Sequence, residues 1–335
     1  MGFLIYITVA AYLHIKNGGG ESPSIHALCP YGGLESIYKF FAEGSFVSKI
    51  FSGTMILFGI TILIAIIFRR SFCGVICPFG AIQEFTAKIG QKIFKKKFVV
   101  PPKIDRPLRY LKYVILIITI VYAWKTAGLW MAPYDPWSAY AHLPEGISSV
   151  WGEATIGFVL LIISLFGSLL YDRFFCKYLC PMGALYGIIG KISPYKVVRD
   201  KNICIDCGKC SKVCPMNINV KDIEEVKSAE CINCQTCVLN CPKKGALENK
   251  EWKKVVKPLT SLVLVITIFL GSIFIFQALG MYDLKPSVKA GEVIKYSEIK
   301  GYMTIEEAAK ATNTELKDFY KKYQTIFIFY LEYCL

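Results

Sequence analysis

The chain is poor in charge and almost without histidine. Only 19% of its 335 residues are Asp, Glu, Lys or Arg, and its three histidines are His14, His26 and His142. None stands four residues from another, so the spaced donors that a bis-histidine haem would want are missing. There is no HExxH run, no glycine-rich phosphate loop and no nucleophile–base constellation. These absences argue against hydrolysis and group transfer. Acidic residues are scarce too, 25 against 39 basic, which leaves a formal net charge of +14. Such a surplus can signal nucleic acid, but its distribution along the chain argues for a membrane instead.

In place of charge the sequence has apolar runs, and 54% of it is hydrophobic. Gly53–Phe68, Val114–Ala123, Ala154–Tyr171 and Pro258–Leu279 are nearly free of charge. With their flanks, each is expected to cover a bilayer core, which takes about 20 helical residues. A fifth run, Phe3–Leu13, lacks the basic start and small-residue cleavage site of a signal peptide and is expected to be a retained helix. Basic residues follow the second and fourth runs: eleven against two acidic in 69–112, and sixteen against nine in 172–257. The stretches 14–50 and 125–153 carry three against three and one against three. By the positive-inside rule this places 69–112 and 172–257 in the cytoplasm and 281–335 outside, in a multi-pass protein of the inner (cytoplasmic) membrane.

Eight cysteines lie between Cys204 and Cys241. They read C-I-D-C-G-K-C-S-K-V-C-P (Cys204, Cys207, Cys210, Cys214) and C-I-N-C-Q-T-C-V-L-N-C-P (Cys231, Cys234, Cys237, Cys241). This is the bacterial two-cluster ferredoxin spacing, in which the fourth cysteine of each run ligates the other cluster. One 4Fe-4S cluster is therefore expected on Cys204, Cys207, Cys210 and Cys241. The other is expected on Cys231, Cys234, Cys237 and Cys214. Zinc sites favour two-plus-two spacing, and disulfides need an oxidising compartment.

A second cysteine pattern is duplicated. Cys73-x-x-x-Cys77-Pro78-Phe79-Gly80-Ala81 returns as Cys176-x-x-x-Cys180-Pro181-Met182-Gly183-Ala184, an offset of 103. The same offset carries Cys29-Pro30-Tyr31 onto Ala132-Pro133-Tyr134. The chain reads as two parallel helical hairpins, a duplication common in membrane proteins built around a central site. Cys73, Cys77, Cys176 and Cys180 are expected to converge near the cytoplasmic membrane face. They would make a ligand set for a third cluster, with nearby basic residues offsetting its charge. Packing and turn chemistry are the plain alternatives for these four.

The twin C-x3-C-P-x-G-A turns, the two-cluster insert and the following helix resemble the NapH/NosR/CcoG-type membrane polyferredoxins over roughly residues 1–280. The resemblance implies electron transfer at or across the membrane. Members of that family serve periplasmic nitrate or nitrous-oxide reduction, or assist metal-enzyme maturation. The sequence shows no counterpart of the large periplasmic flavin-binding domain of the NosR branch, so any flavin is expected on a partner. Met303–Tyr323 is similar to a small C-terminal module of short members. Thr325–Leu335 resembles nothing in them and is too short to span a bilayer.

The expected architecture is an α-helical integral membrane bundle of about five transmembrane helices with an inserted α+β two-cluster ferredoxin domain. Its parts are the duplicated hairpins (1–198), the cytoplasmic ferredoxin domain (199–252), a final transmembrane helix (253–280) and an extracytoplasmic helical module (281–335), with Thr314 as a helix cap. The expected partners are membrane lipid and a redox protein such as a flavoprotein or reductase, with quinol as a further donor and no nucleic acid. The expected function is one-electron relay without substrate chemistry. Two alternatives stand beside it, a redox-dependent assembly factor for a metalloenzyme and a redox sensor. Cys29 is read as packing, Met131–Trp137 as an interfacial aromatic belt, and Lys95-Lys96-Lys97 as a topology signal.

Overall fold

The computed structural model describes residues 2–16, 29–43, 52–126, 130–147, 150–151, 154–251, 254–282, 309 and 312–319. The described protein is mostly helical with one small sheet. Helices α1 (Gly2–Lys16), α2 (Pro30–Glu43), α3 (Ser52–Phe68) and α4 (Pro78–Phe94) belong to the first repeat. They are followed by α5 (Pro102–Leu108), α6 (Leu111–Thr126), α7 (Pro136–His142), α8 (Thr155–Leu170), α9 (Phe174–Tyr178) and α10 (Pro181–Ile189). Helices α2, α4, α5, α7 and α10 all open on proline, whose fixed φ and missing N–H suit the first helical position.

The insert follows. Strand β1 (Tyr195–Arg199) pairs antiparallel with β2 (Leu247–Glu251), which pairs antiparallel with β3 (Lys254–Val256). Tyr195 and Val197 on β1, and Leu247 and Asn249 on β2, are buried, so alternate side chains face the insert's core. That core is Val197, Val220, Val226 and Leu247. Short helices α11 (Lys209–Val213) and α12 (Thr236–Leu239) carry the middle cysteines, and α13 (Pro258–Ala278) leaves the insert.

Among the described residues, two helical stretches are long and apolar enough to cross a membrane, Pro102–Thr126, which joins α5 and α6, and Pro258–Ala278. Gly2–Leu13, Ser52–Phe68 and Thr155–Leu170 are apolar but shorter. Helix α3 has 17 residues, about 25 Å at 1.5 Å per residue, a little short of a bilayer's hydrocarbon core. Helix α13 is hydrophobic on all sides and buries only Ser261, Val265 and Phe269.

The repeat is built into the packing. Helix α4 of the first copy packs against α8 of the second, and α10 of the second packs against α6 and α3. Gly90 on α4 lies hard against the Leu169 carbonyl, a helix approach that only a glycine permits. The turn before each Cys-Pro has the same backbone bond. Cys77 N–H donates to the Phe72 carbonyl, and Cys180 N–H donates to the Phe175 carbonyl, both at 2.9 Å and both five residues back.

The insert is fastened to the helices by buried polar contacts. Arg69 donates to the Val226 and Ser228 carbonyls. Asn233 Nδ2 donates to the Phe68 carbonyl (3.1 Å) and to Ser71 Oγ (2.9 Å). Lys97 Nζ donates to the Cys214 carbonyl at 2.8 Å and pairs with Asp172 at 2.7 Å. Lys97 is therefore a docking residue, beyond the topology role read from its run. Trp137 is also placed differently from the interfacial reading. It is buried, with its ring 6.2 Å from that of Phe79. The expected C-terminal helical hairpin lies largely outside the described residues. Its described part has a turn at Thr312 and Asn313 and helix over 316–319.

Candidate iron–sulfur centres

The twelve cysteines singled out in the sequence line three cavities. Cys204, Cys207, Cys210 and Cys241 line one of about 370 Å³, together with Arg199, Lys221 and Lys243. Cys214, Cys231, Cys234 and Cys237 line a second of about 390 Å³, with Met216, Ile218, Val220 and Ile232 around them. Each group takes three cysteines from one run and the fourth from the other. Cys73, Cys77, Cys176 and Cys180 line the third, of about 920 Å³. All the described cysteines are free thiols.

Among the described residues, no three His, Cys, Asp or Glu side chains come close enough to hold a single metal ion. A zinc ion draws its thiolates to about 2.3 Å from one point. A cube ligated at its four corners needs them spread around a space, and four cysteines around a cavity meet that need. The donor chemistry also fits, since 4Fe-4S clusters take four thiolates.

Neighbouring donors point at the sulfurs. Ile218 N–H donates to Cys214 Sγ (3.4 Å) and Thr236 Oγ1 to Cys234 Sγ (3.2 Å). Arg199 Nη1 lies 3.5 Å from Cys204 Sγ. At the third centre, Gly183 N–H donates to Cys180 Sγ (3.3 Å) in the first turn of α10. Gln83 Nε2 donates to Cys176 Sγ (3.3 Å), while Gln83 Oε1 accepts from Phe175 N–H (3.0 Å). Gln83 is fully buried and belongs to the opposite repeat, so nothing in its local sequence marked it. Such hydrogen bonds favour the thiolate and tune a bound metal centre. Burial pushes the free Cys73, Cys77 and Cys180 thiols up, and neighbouring cysteines add to it for Cys77 and Cys180. Metal must therefore displace protons held there.

The third cavity extends further than the inner turns. Cys29 and Tyr31 from the connection between α1 and α3, and Met131, Asp135 and Trp137 from that between α6 and α8, also line it. His14 and His26 fall where no side chain is described. His142 closes α7 and does not line any of the three cavities.

Thiolate-lined cavities on a ferredoxin-like insert and a duplicated helical scaffold define a class, the iron–sulfur electron-transfer proteins. A 4Fe-4S binding domain model matches residues 53–97 and again 153–200, and a 4Fe-4S dicluster domain model matches residues 196–256. YccM of Escherichia coli strain K12, which carries an electron transport name, is 32% identical over 71% of this chain and 65% of its own length. The uncharacterized protein MJ0750 of Methanocaldococcus jannaschii is 30% identical over 68% of this chain and 88% of its own. The ferredoxin-type protein NapH of Haemophilus influenzae is 29% identical over 55% of this chain and 64% of its own. The chain thus spans just under two thirds of YccM and NapH. No solved structure matches it. The chain belongs to the NapH/NosR-type polyferredoxin family.

Proposed function

We propose that this protein is a membrane-embedded electron relay holding three 4Fe-4S clusters. The ligands are Cys204/Cys207/Cys210/Cys241, Cys231/Cys234/Cys237/Cys214 and Cys73/Cys77/Cys176/Cys180. A bound cluster of this kind stores and releases one electron without a proton or a broken bond. The observation that carries the reading is the grouping of these cysteines, four by four, around three cavities.

The contacts support an order for the centres. Cys207 is exposed, so the first set meets solvent and suits exchange with a soluble partner. Helices α11 and α12, which carry cysteines of the two ferredoxin sets, pack against each other. The second set touches the third through backbone, because Gly74, between Cys73 and Cys77, lies against Ile232 and the Cys234 N–H. The third is buried and reaches toward the outer connections. Electrons entering at the insert would thus be led into the helical bundle.

The membrane part of the reading rests on α1, α3, α6, α8 and α13 as five spans, with the basic stretches on the cytoplasmic side. The all-round apolar surface of α13 supports it, since Leu259, Val263, Leu270 and Phe274 are exposed in the described protein. Redox partners on both sides are implied by the arrangement, and a donor quinol in the bilayer fits the same scheme.

Iron and acid-labile sulfide on anaerobically purified protein test the relay. About 12 of each per chain are expected, falling to about 8 in the variant with Cys73, Cys77, Cys176 and Cys180 all changed to Ser. Zinc without sulfide, or full iron in the quadruple variant, would overturn it.

A further inference from the structure

Arg70 and Arg173 hold the same place in the two repeats, 103 residues apart. Each guanidinium reaches across to the other repeat. A Cβ on Gly183 would stand 2.6 Å from Arg70 Nη2, and a Cβ on Gly80 would stand 2.8 Å from Arg173 Nη1. Gly80 and Gly183 are themselves related by the 103 offset, and both are glycines of the Cys-Pro-x-Gly turns. The lack of a side chain there makes the room that the guanidinium fills. Arg173 Nη1 also donates to the Cys73 carbonyl at 2.6 Å, and its Nη2 pairs with Glu84 at 2.9 Å. Arg70 Nη1 contacts Glu230 and the Ala229 carbonyl, both at 3.3 Å.

Both arginines are almost wholly buried, at 1% and 2% exposure. Arg70 Nε and Nη2 and Arg173 Nε have no acceptor within the protein. Buried N–H groups of a cation are costly when left unpaired. Glu230 does not answer Arg70 alone, because Lys112 holds it at 2.6 Å and Arg109 approaches it as well. Arg70 is thus left incompletely answered on the wall of the cavity that Cys73, Cys77, Cys176 and Cys180 share, a lining whose one carboxylate is Asp135. Four thiolates around iron and sulfide carry negative charge, and reduction adds one more. The helix N-termini at Cys77 and Cys180 add positive potential from two further sides.

We infer that Arg70 and Arg173 are a crossed pair of potential-setting residues. Arg70, with its free N–H groups, lines the cavity of the anionic centre held by the four Cys-x3-Cys cysteines, and Arg173 stands behind it on the Cys73 carbonyl; their charges stabilise its reduced form and raise its midpoint potential. The inference rests on the third-cluster reading above. It assigns the pair a role that a merely structural arginine would lack, because charge beside a centre changes the energy of an added electron while packing does not.

Redox titration followed by EPR, on the full chain purified anaerobically in detergent, tests it. The two ferredoxin signals act as the control for folding. Arg70→Gln and Arg173→Gln should each lower the potential of the third signal by at least a tenfold change in the reduction equilibrium, about 59 mV for one electron. Arg70→Lys and Arg173→Lys should recover part of the loss. Gly183→Ala keeps every charge but displaces the Arg70 guanidinium, so a smaller shift of the same sign is expected. If the Gln variants lose the third centre, its return in the Lys variants supports the assignment, and its absence from them overturns it. An unchanged potential in both Gln variants overturns the arginine role and leaves the cluster standing. Wild-type protein with iron for two cubes only removes the third centre and the inference together.

Discussion

Gly74 stands so close to Ile232 that a methyl group on its α-carbon would collide with the Ile232 carbonyl oxygen and lie 3.3 Å from the Cys234 N–H. One residue is the neighbour of Cys73, and the other sits between Cys231 and Cys234. The contact therefore joins the duplicated scaffold to the ferredoxin-like insert between residues of two cysteine sets. The atom in the way belongs to the backbone and cannot swing aside. Gly74→Ala should push the insert away, costing about 1–3 kcal/mol, the usual range for forced overpacking. The expected reading is slowed reduction of the scaffold centre by the insert, at least tenfold in stopped-flow traces, with the ferredoxin signals themselves kept. Wild-type kinetics in that variant would show that electrons do not pass at this contact.

Glu230 carries a second test. Its carboxylate is shared by Arg70, Lys112 and Arg109, and it lies on the insert while the cations belong to the helical scaffold, Lys112 on α6 and Arg70 and Arg109 in the turns after α3 and α5. Burial would raise its pKa, but Arg70 and then Lys112 outweigh burial and hold it below the ordinary value. Glu230→Gln leaves Lys112 and Arg70 buried without their counter-charge. Breaking a buried pair from one side typically costs about 3–5 kcal/mol. Proteolysis between the scaffold and the insert, or loss of thermal stability in detergent, should report it. A variant as resistant as the wild type would mean that the docking rests on Arg69, Lys97 and Asn233 alone.

Much of the metal chemistry was legible because its signal is local. Cys204, Cys207 and Cys210 declare a loop by spacing alone, and the offset between Cys73 and Cys176 is visible without any fold. What escaped was set by residues far apart in the chain. Gln83 meets Cys176 from 93 positions away, and Lys97 meets Cys214 from 117. Neither sits in a recognisable motif, since an amide or an ammonium can serve a solvated surface equally well. The burial of Trp137 within the Met131–Trp137 segment was also hidden, because composition fixes the proximity of an aromatic cluster to a helix end but not the direction each ring faces. Helix lengths suffered similarly. The apolar run ending at Phe68 says that α3 is buried in something apolar, whereas the 17 residues of its helix depend on where Ser71 and Arg69 turn the chain.

A pH-dependent test comes from Glu35 on α2, in the connection between α1 and α3. Its Oε1 accepts from Met131 N–H at 3.0 Å and so ties this connection to the one between α6 and α8. Burial pushes its carboxyl from 4.5 up to about 8, and the Asp135 carboxylate adds to the rise. A raised carboxyl binds more protons folded than unfolded between those two values, so stability falls as pH climbs from about 4.5 toward 8. The slope approaches about 1.4 kcal/mol per pH unit where the difference is one full proton. Glu35→Gln removes the titration and keeps an acceptor for Met131. Its unfolding midpoint should vary less with pH and exceed that of the wild type near pH 8. Parallel pH profiles for the two proteins would show that Glu35 is not the group responsible.

Cys29 separates ligation from packing in the third cavity. It lines the same space as Cys73, Cys77, Cys176 and Cys180, but its counterpart in the second repeat is Ala132. The four paired cysteines already supply one thiolate for each corner of a cube. A fifth is surplus to that count, and the count alone decides, because burial raises its thiol as it raises those of Cys73, Cys77 and Cys180. In Cys29 burial pushes the thiol up to about 12, with the Asp135 carboxylate raising it further. Cys29→Ser should therefore keep the iron content of the wild type, whereas Cys73→Ser should lower it by about 4 atoms per chain. Iron analysis with sulfide counts on both variants decides the matter. Equal losses would make Cys29 a ligand and would break the twofold symmetry assumed for the centre.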